Sequence, residues 1–217
     1  MRARIETVFF DLDGTLVDTA PDLSAALNRL LASLDRVPLP ASRLRAHVSA
    51  GARGLIGEAL GVGPGHPHYA DLRAKFLQFY EQNLCAESRI FDGISELLDR
   101  MRSCGARWGI VTNKPQRYAL PLIEALGLRD DAACVVCGDT ATKPKPHSQP
   151  LRLACALSRS HPAGSIYVGD DQRDIQAGHA AGLQTIAAAW GYLGVGAPIE
   201  SWGAHRIANS PREIEFG

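Results

Sequence analysis

The chain has 217 residues, and its 23 lysines and arginines balance 23 aspartates and glutamates, so the formal net charge is zero. That balance gives no general electrostatic support to a nucleic-acid or anionic-membrane partner. A hydrophobic share of 46% argues against disorder, and the length allows one domain with an insertion or two small domains.

The start, Met1-Arg2-Ala3-Arg4-Ile5-Glu6, lacks the apolar core and cleavage site of a signal peptide, and no apolar run is long enough to cross a bilayer. Residues 6–10 read as a first buried strand. From about Pro21 to Asn83 the signals turn helical. Thr19 or Asp18 can cap the first helix, with Pro21 in its first turn and Asp22 suited to its dipole. Leu23, Leu27, Leu30, Leu31 and Leu34 follow at helical spacing. Pro38-Leu39-Pro40 ends that pattern. Two further helices are expected over Ser42–Leu60 and Tyr69–Leu84, separated by a loop over Gly61–Pro67. No strand-like run interrupts this block, which therefore reads as a helical insertion.

After Phe91-Asp92-Gly93 strands and helices alternate. Helices are expected over Ile94–Cys104, Gln116–Leu126, Gln149–Ser158 and Asp171–Ala181. Strands are expected over Arg107–Val111, Ala133–Cys137, Ser165–Val168 and Leu183–Ala188. Such alternation predicts a parallel sheet covered on both faces, with ligands bound outside the carboxyl ends of the strands. Five cysteines without a secretory signal imply a reducing, cytoplasmic setting. Cys134 and Cys137, three apart in a strand-like run, are expected as buried thiols on opposite faces.

The chemistry collects at those strand ends. Asp11 and Asp13 follow the first strand, and two carboxylates one residue apart need a divalent cation or a shared proton between them. Gly14 and Thr15 permit a sharp turn and are expected to leave amides and a hydroxyl free for an anion. Thr112-Asn113-Lys114 follows the second strand, Lys143 and Lys145 the third, and Gly169-Asp170-Asp171 with Asp174 the fourth. A carboxylate nucleophile, a metal, cations and a proton donor on one edge are what hydrolysis of a phosphate monoester requires. Asp171 is better suited to capping the helix it precedes, and Asp18 to a cap or hinge. His66-Pro67-His68 reads as an ordinary Gly/Pro-rich loop.

With these motifs in order, the chain resembles the phosphatase branch of the haloacid dehalogenase superfamily over essentially its whole length. Asp11-Leu12-Asp13-Gly14-Thr15, Val111-Thr112-Asn113, Lys145 and Gly169-Asp170-Asp171-x-x-Asp174 match its four motifs in turn. The third motif has two registers in Lys143-Pro144-Lys145-Pro146. Lys145 fits better, because His147 then takes the third place, although Ser148 stands where a proline is usual. The resemblance implies an α/β fold: a Rossmann-like parallel sheet with helices on both faces (residues 1–17 and 88–217) and a small all-helical cap domain inserted after the first strand (18–87).

It also implies roles. Asp11 would be the nucleophile and a metal ligand, and Asp13 the acid and base, its carbonyl also a ligand. Mg²⁺ would be held by Asp11, Asp13 and Asp170. Thr112, Asn113, Gly14, Thr15 and Lys145 would hold the phosphoryl group. Asp174 would support the metal waters or orient Lys145, or serve structure alone. Arg53, in Ser49-Ala50-Gly51-Ala52-Arg53-Gly54, would either reach the leaving group from the cap or remain a solvated helix arginine. The substrate would be a small-molecule phosphate ester. Within the superfamily the chain looks like the phosphoglycolate phosphatase group, and more closely like the bacterial N-acetylmuramic acid 6-phosphate phosphatases. The segments that carry this include Trp108-Gly109-Ile110-Val111-Thr112-Asn113-Lys114-Pro115, Trp190-Gly191-Tyr192 and Trp202-Gly203-Ala204. A dehalogenase would lack the Asp13 carboxylate. A phosphomutase would keep the Asp11–Asp13 pair, and a phospho-accepting receiver domain would carry its aspartate after a later strand.

Overall fold

A computed structural model describes residues 5–216; the basic start at Met1–Arg4 and Gly217 lie outside the described residues. The first strand, β1 (Thr7–Phe10), is buried along its whole length. It is paired on both sides, in parallel with β4 (Arg107–Val111) and with β6 (Ser165–Gly169). β5 (Val135–Val136) extends the sheet beyond β4, while β7 (Gln184–Ala188) and β8 (Arg206–Ala208) extend it beyond β6, giving the order β5-β4-β1-β6-β7-β8 with every pairing parallel. The expected α/β fold with a parallel sheet is therefore present. β8 was not expected, since Arg206-Ile207-Ala208 is too short to show an alternating pattern.

The period of two along the central strands separates the core into two faces. Val8, Phe10, Ile110 and Val168 pack against α5 (Ile94–Ser103) and α6 (Gln116–Ala125) through Leu97, Met101, Leu122 and Ile123. Phe9, Val111, Val136 and Tyr167 pack on the opposite side against α7 (Gln149–Leu157) and α8 (Gln172–Ala181). Cys134 and Cys137 fall into these two different clusters. Burial pushes their thiols up to about 12 and about 11, so both are inert apolar groups at neutral pH.

Between β1 and α5 the chain forms a helical block: α1 (Ala20–Ala32), α2 (Ala41–Leu44), a 3-10 segment (Arg45–Ala50), α3 (Gly51–Leu60) and α4 (Tyr69–Glu81). The single helix expected over Ser42–Leu60 is broken at Gly51, whose φ of 58° lies outside the α region and lets the chain turn into α3. Gly54 keeps the turn tight, because a Cβ there would collide with the carbonyl of His47. The block has its own apolar cluster, with Leu23, Leu27, Leu30, Leu44, Leu55 and Phe76 at its centre. A two-stranded antiparallel ribbon closes it, β2 (Val17–Asp18) against β3 (Arg89–Ile90), which the expectation of helices alone had missed. Two residues per strand are too few for periodicity to register.

Of the two residues expected to cap α1, Asp18 does accept from the Ala20 amide, at 3.3 Å. Thr19 occupies the N-cap position without a side-chain capping bond. Tyr192 Oη supplies the acceptor instead, taking hydrogen bonds from the Thr19 and Ala20 amides at 2.7 and 2.9 Å, and donating to Asp18 Oδ1. Thr19 is thereby free to point elsewhere. Leu27 is fully buried at the centre of the block's cluster. Leu27→Ala is expected to lower unfolding stability by about 2–5 kcal/mol, measured as a fall in urea midpoint at constant m-value; a loss below about 1 kcal/mol would show that this cluster contributes little to the fold.

Candidate active site

The strand order places the site. From β1 the chain moves to β4 and β5, whereas from β6 it moves the other way to β7 and β8. β1 and β6 are therefore neighbours at a topological switch point, where a crevice opens outside their carboxyl ends. Asp11 follows β1 directly, and Asp170 follows β6. Carboxylate oxygens of Asp11, Asp170 and Asp174 come within 4.8 Å of one another.

Lys145 lies in their midst, 4% exposed. Its Nζ is 2.9 Å from Asp11 Oδ1, 2.7 Å from Asp174 Oδ1, 2.7 Å from Tyr167 Oη and 3.0 Å from the Val111 carbonyl. Burial alone would lower its pKa, but the two carboxylates reverse this and hold the ammonium charged. Lys143, the other register, is exposed. Asp174 also completes the capping box of α8, accepting from the Asp171 amide at 3.1 Å, while Asp171 caps the helix as expected. Burial pushes the Asp174 carboxyl up to about 7; Lys145 pulls it down and Asp11 adds repulsion.

Asp170 is 1% exposed, and its pKa is raised well above the usual range by burial first, then by the charges of Asp11 and Asp174. Its partners are neutral donors, the Thr15 hydroxyl and the Tyr192 amide, both at 2.9 Å. Among the described residues no lysine or arginine pairs with it. A buried carboxylate beside two others, supported only by neutral donors, fits a divalent cation bound through oxygen ligands.

Asp13 faces another way. Its Oδ1 accepts from Thr19 Oγ1 at 2.6 Å and from Lys114 Nζ at 2.9 Å. Its carboxylate is not one of the three that converge. Thr112 lines the same cavity, its Oγ1 accepting from the Lys114 amide at 3.1 Å while its own hydroxyl proton remains to be donated.

Two expectations are corrected. Gly14 and Thr15 do not offer a free anion cradle, and neither lines the cavity. The Gly14 amide bonds Val17 O at 2.9 Å and the Thr15 hydroxyl bonds Asp170, so the turn satisfies its own donors. Gly14 is required for a different reason: its φ is 87°, and a Cβ would overlap the Asp170 carboxylate. Asn113 does line the cavity, while its side chain is engaged by the protein. Its side chain donates to Lys145 O at 3.0 Å and accepts from Lys145 N at 2.9 Å, clamping the loop that carries the lysine.

A cavity of about 500 Å³ connects this cluster to the helical block. Arg53 lines it from the first turn of α3 and is solvent-exposed. Sequence reasoning had assigned no site role to Lys114, Tyr80 or Tyr192. Lys114 Nζ lies 4.7 Å from the Tyr80 ring centroid while paired with Asp13, and so joins the sheet edge to the block. The adjacency of Lys114 to the Thr112-Asn113 pair was the one available signal.

An α/β sheet with carboxylates and a buried lysine at its switch point defines a hydrolase-type site suited to group transfer at an anionic centre. The family model for haloacid dehalogenase-like hydrolases matches residues 8–188, and the chain belongs to that family. It is 40% identical over 213 residues to the N-acetylmuramic acid 6-phosphate phosphatase of Pseudomonas aeruginosa, covering 98% of this chain and 94% of that protein. It is 38% identical over 208 residues to a phosphoglycolate phosphatase of Xanthomonas campestris pv. campestris, covering 95% and 93% of the two chains. Among solved structures it is similar to a protein from Haemophilus somnus described as a predicted phosphoglycolate phosphatase, with a TM-score of 0.83, 27% identity and 95% coverage of each chain.

Wild-type protein is expected to gain thermal stability with Mg²⁺, by about 2.7 kcal/mol at a hundred times its Kd, and Asp170→Asn to lose that gain without loss of metal-free stability. An equal Mg²⁺-induced Tm rise in the variant would exclude Asp170 from the cation site.

Proposed function

We propose that the protein is a Mg²⁺-dependent phosphomonoesterase that works through an aspartyl-phosphate intermediate on a small metabolite phosphate. The observation that carries this reading is the Asp11–Lys145–Asp174 arrangement beside the buried, cation-less Asp170. Asp11 Oδ1 is fixed by Lys145 and by the Leu12 amide at 2.7 Å, which orients the carboxylate at the end of a rigid strand. Asp11 attacks phosphorus in line, forming the new P–O bond as the ester P–O bond breaks. Asp13 gives its proton to the departing alkoxide, then takes one from the water that cleaves the intermediate and releases phosphate. Thr112 donates to a phosphoryl oxygen, and Lys145 lends its charge to the phosphoryl group carried on Asp11. Asp174 acts through Lys145, and Asn113 through the Lys145 loop.

Asp11, the Asp13 carbonyl and Asp170 would hold Mg²⁺, which when bound supplies charge neutralisation at the phosphoryl oxygens. The helical block over residues 18–87 acts as a cap domain over a core formed by 1–17 and 88–217. Its separate apolar cluster and the β2–β3 ribbon at its two junctions support that division.

N-acetylmuramic acid 6-phosphate is the preferred substrate, supported by the Pseudomonas relative and by a cavity larger than a phosphate ion needs. A role in peptidoglycan recycling follows from that substrate. The second reading, 2-phosphoglycolate, is favoured by the Xanthomonas relative. Both carry a carboxylate, which Arg53 could meet. Nucleic acid and membrane are not proposed as partners: the net charge is zero, and among the described residues no helix is long and apolar enough to cross a membrane. The five free thiols support a cytoplasmic location.

Asp11→Asn is expected to abolish phosphate release while leaving the fold intact by circular dichroism, and chelation should stop the wild type until Mg²⁺ is restored. Substantial turnover by Asp11→Asn would remove Asp11 as nucleophile. Comparing kcat/KM for N-acetylmuramic acid 6-phosphate and 2-phosphoglycolate decides between the two substrates, and release of inorganic phosphate separates a phosphatase from a mutase.

A further inference from the structure

Helix α4 turns Tyr69, Arg73, Phe76, Leu77 and Tyr80 toward the cavity. Their offsets of four, seven, eight and eleven residues define one helical face. Asp71, Ala74, Lys75 and Gln78, on the remaining faces, are exposed and do not line it. Phe76 and Tyr80 are rooted in the block's apolar cluster, so the stripe is a rigid wall.

Its inner end is polar and incompletely satisfied. Tyr80 is 1% exposed, and its hydroxyl makes no hydrogen bond of good geometry among the described residues, the Lys114 ammonium lying close beside it. Tyr80 also carries Lys114 over its ring, and Lys114 bonds the Asp13 carboxylate that faces a leaving group. Ser49 Oγ, from another segment of the cavity lining, is buried and unpartnered too. Buried polar atoms without partners are uncommon, and two in one cavity wall point to groups that a ligand supplies. Farther out, Arg73 and Arg53 make no ion pair among the described residues. Seven helical residues separate Arg73 from Tyr80, about 10 Å along the axis. A pyranose ring bearing a carboxylate fills that length; a two-carbon acid leaves most of it to water.

We propose that this face of α4 is the leaving-group subsite, with Tyr80 bonding a ring substituent near the ester and Arg73 the distal carboxylate of a ring-bearing phosphate. This rests on the phosphatase reading above. The flanking aromatic and aliphatic side chains pack on the ring's apolar faces, and the carboxylate can accept from Arg53 as well as Arg73.

The test measures phosphate release by the Mg²⁺-loaded full chain from N-acetylmuramic acid 6-phosphate, from N-acetylglucosamine 6-phosphate, which lacks the acidic ether, and from p-nitrophenyl phosphate. Arg73→Gln should lower kcat/KM for the carboxylated sugar about tenfold more than for the carboxylate-free one, mainly through KM, and Arg73→Lys should recover part of the loss. Tyr80→Phe should lower both sugar esters relative to p-nitrophenyl phosphate by about threefold or more. Lys75→Gln, on the outer face of α4, should leave all ratios as in the wild type. Equal losses on all three esters, or none on any, in Arg73→Gln would overturn the subsite. A wild type that hydrolyses p-nitrophenyl phosphate but does not favour the carboxylated sugar would overturn the substrate class alone. A wild type that releases phosphate from none of the three would overturn the phosphatase reading and the subsite with it.

Discussion

One buried lysine between two buried carboxylates holds this site together. Asp11, Asp170 and Asp174 occupy a volume in which like charges repel and water is nearly absent. Lys145 offsets two of the three, and its ammonium also donates to Tyr167 Oη and to the Val111 carbonyl. The cost of desolvating such a cluster is high: burial raises the pKa of Asp170 and of Asp174, while the flanking carboxylates hold the Lys145 ammonium charged. The compensation stops one carboxylate short. Asp170 remains a buried acid with neutral donors, and that deficit is what supports the proposed bound cation.

The backbone is shaped to permit this crowding. Gly14, Gly169 and Gly191 each lie where a Cβ would run into Asp170 or Asp174. Asn113 clamps the Lys145 peptide from the neighbouring strand end, and Trp190 donates from Nε1 to the Thr15 carbonyl at 3.0 Å. The acidic cluster is thus assembled by loops from five strand ends that bond to one another. None of them could hold its side chain in place alone.

What was legible in the sequence follows from this. Strand-end chemistry could be read because buried strands show as apolar runs, and parallel topology brings their ends to one edge. Lys145 could be preferred over Lys143 from motif spacing, and burial separates them. The Gly14-Thr15 turn was misread because a turn's donors look free in sequence, whereas here they close on Val17 and Asp170. Lys114 and Tyr192 act on partners 101 and 174 residues away, Asp13 and Asp18, and no local pattern encodes such a bond. The α4 stripe was hidden for another reason. Phe76 and Tyr80 have the periodicity of a core face, and periodicity cannot distinguish a wall that faces a core from one that also faces a cavity.

The helical block and the sheet side meet through polar links as well as apolar contacts, Tyr118 and Tyr192 both packing into the block's cluster. Tyr192 from the sheet side caps α1, Arg173 of α8 donates to the Ser49 carbonyl, and Lys114 lies between Asp13 and Tyr80. Hydrogen bonds contribute about 0.5–1.5 kcal/mol each, far less per contact than a continuous apolar seam. Of the three links, only Lys114 touches both the carboxylate proposed to protonate the leaving group and the wall proposed to bind it. Recognition by that wall is thereby connected to proton transfer at the sheet through Lys114, while Thr19 of the block bonds the same carboxylate directly.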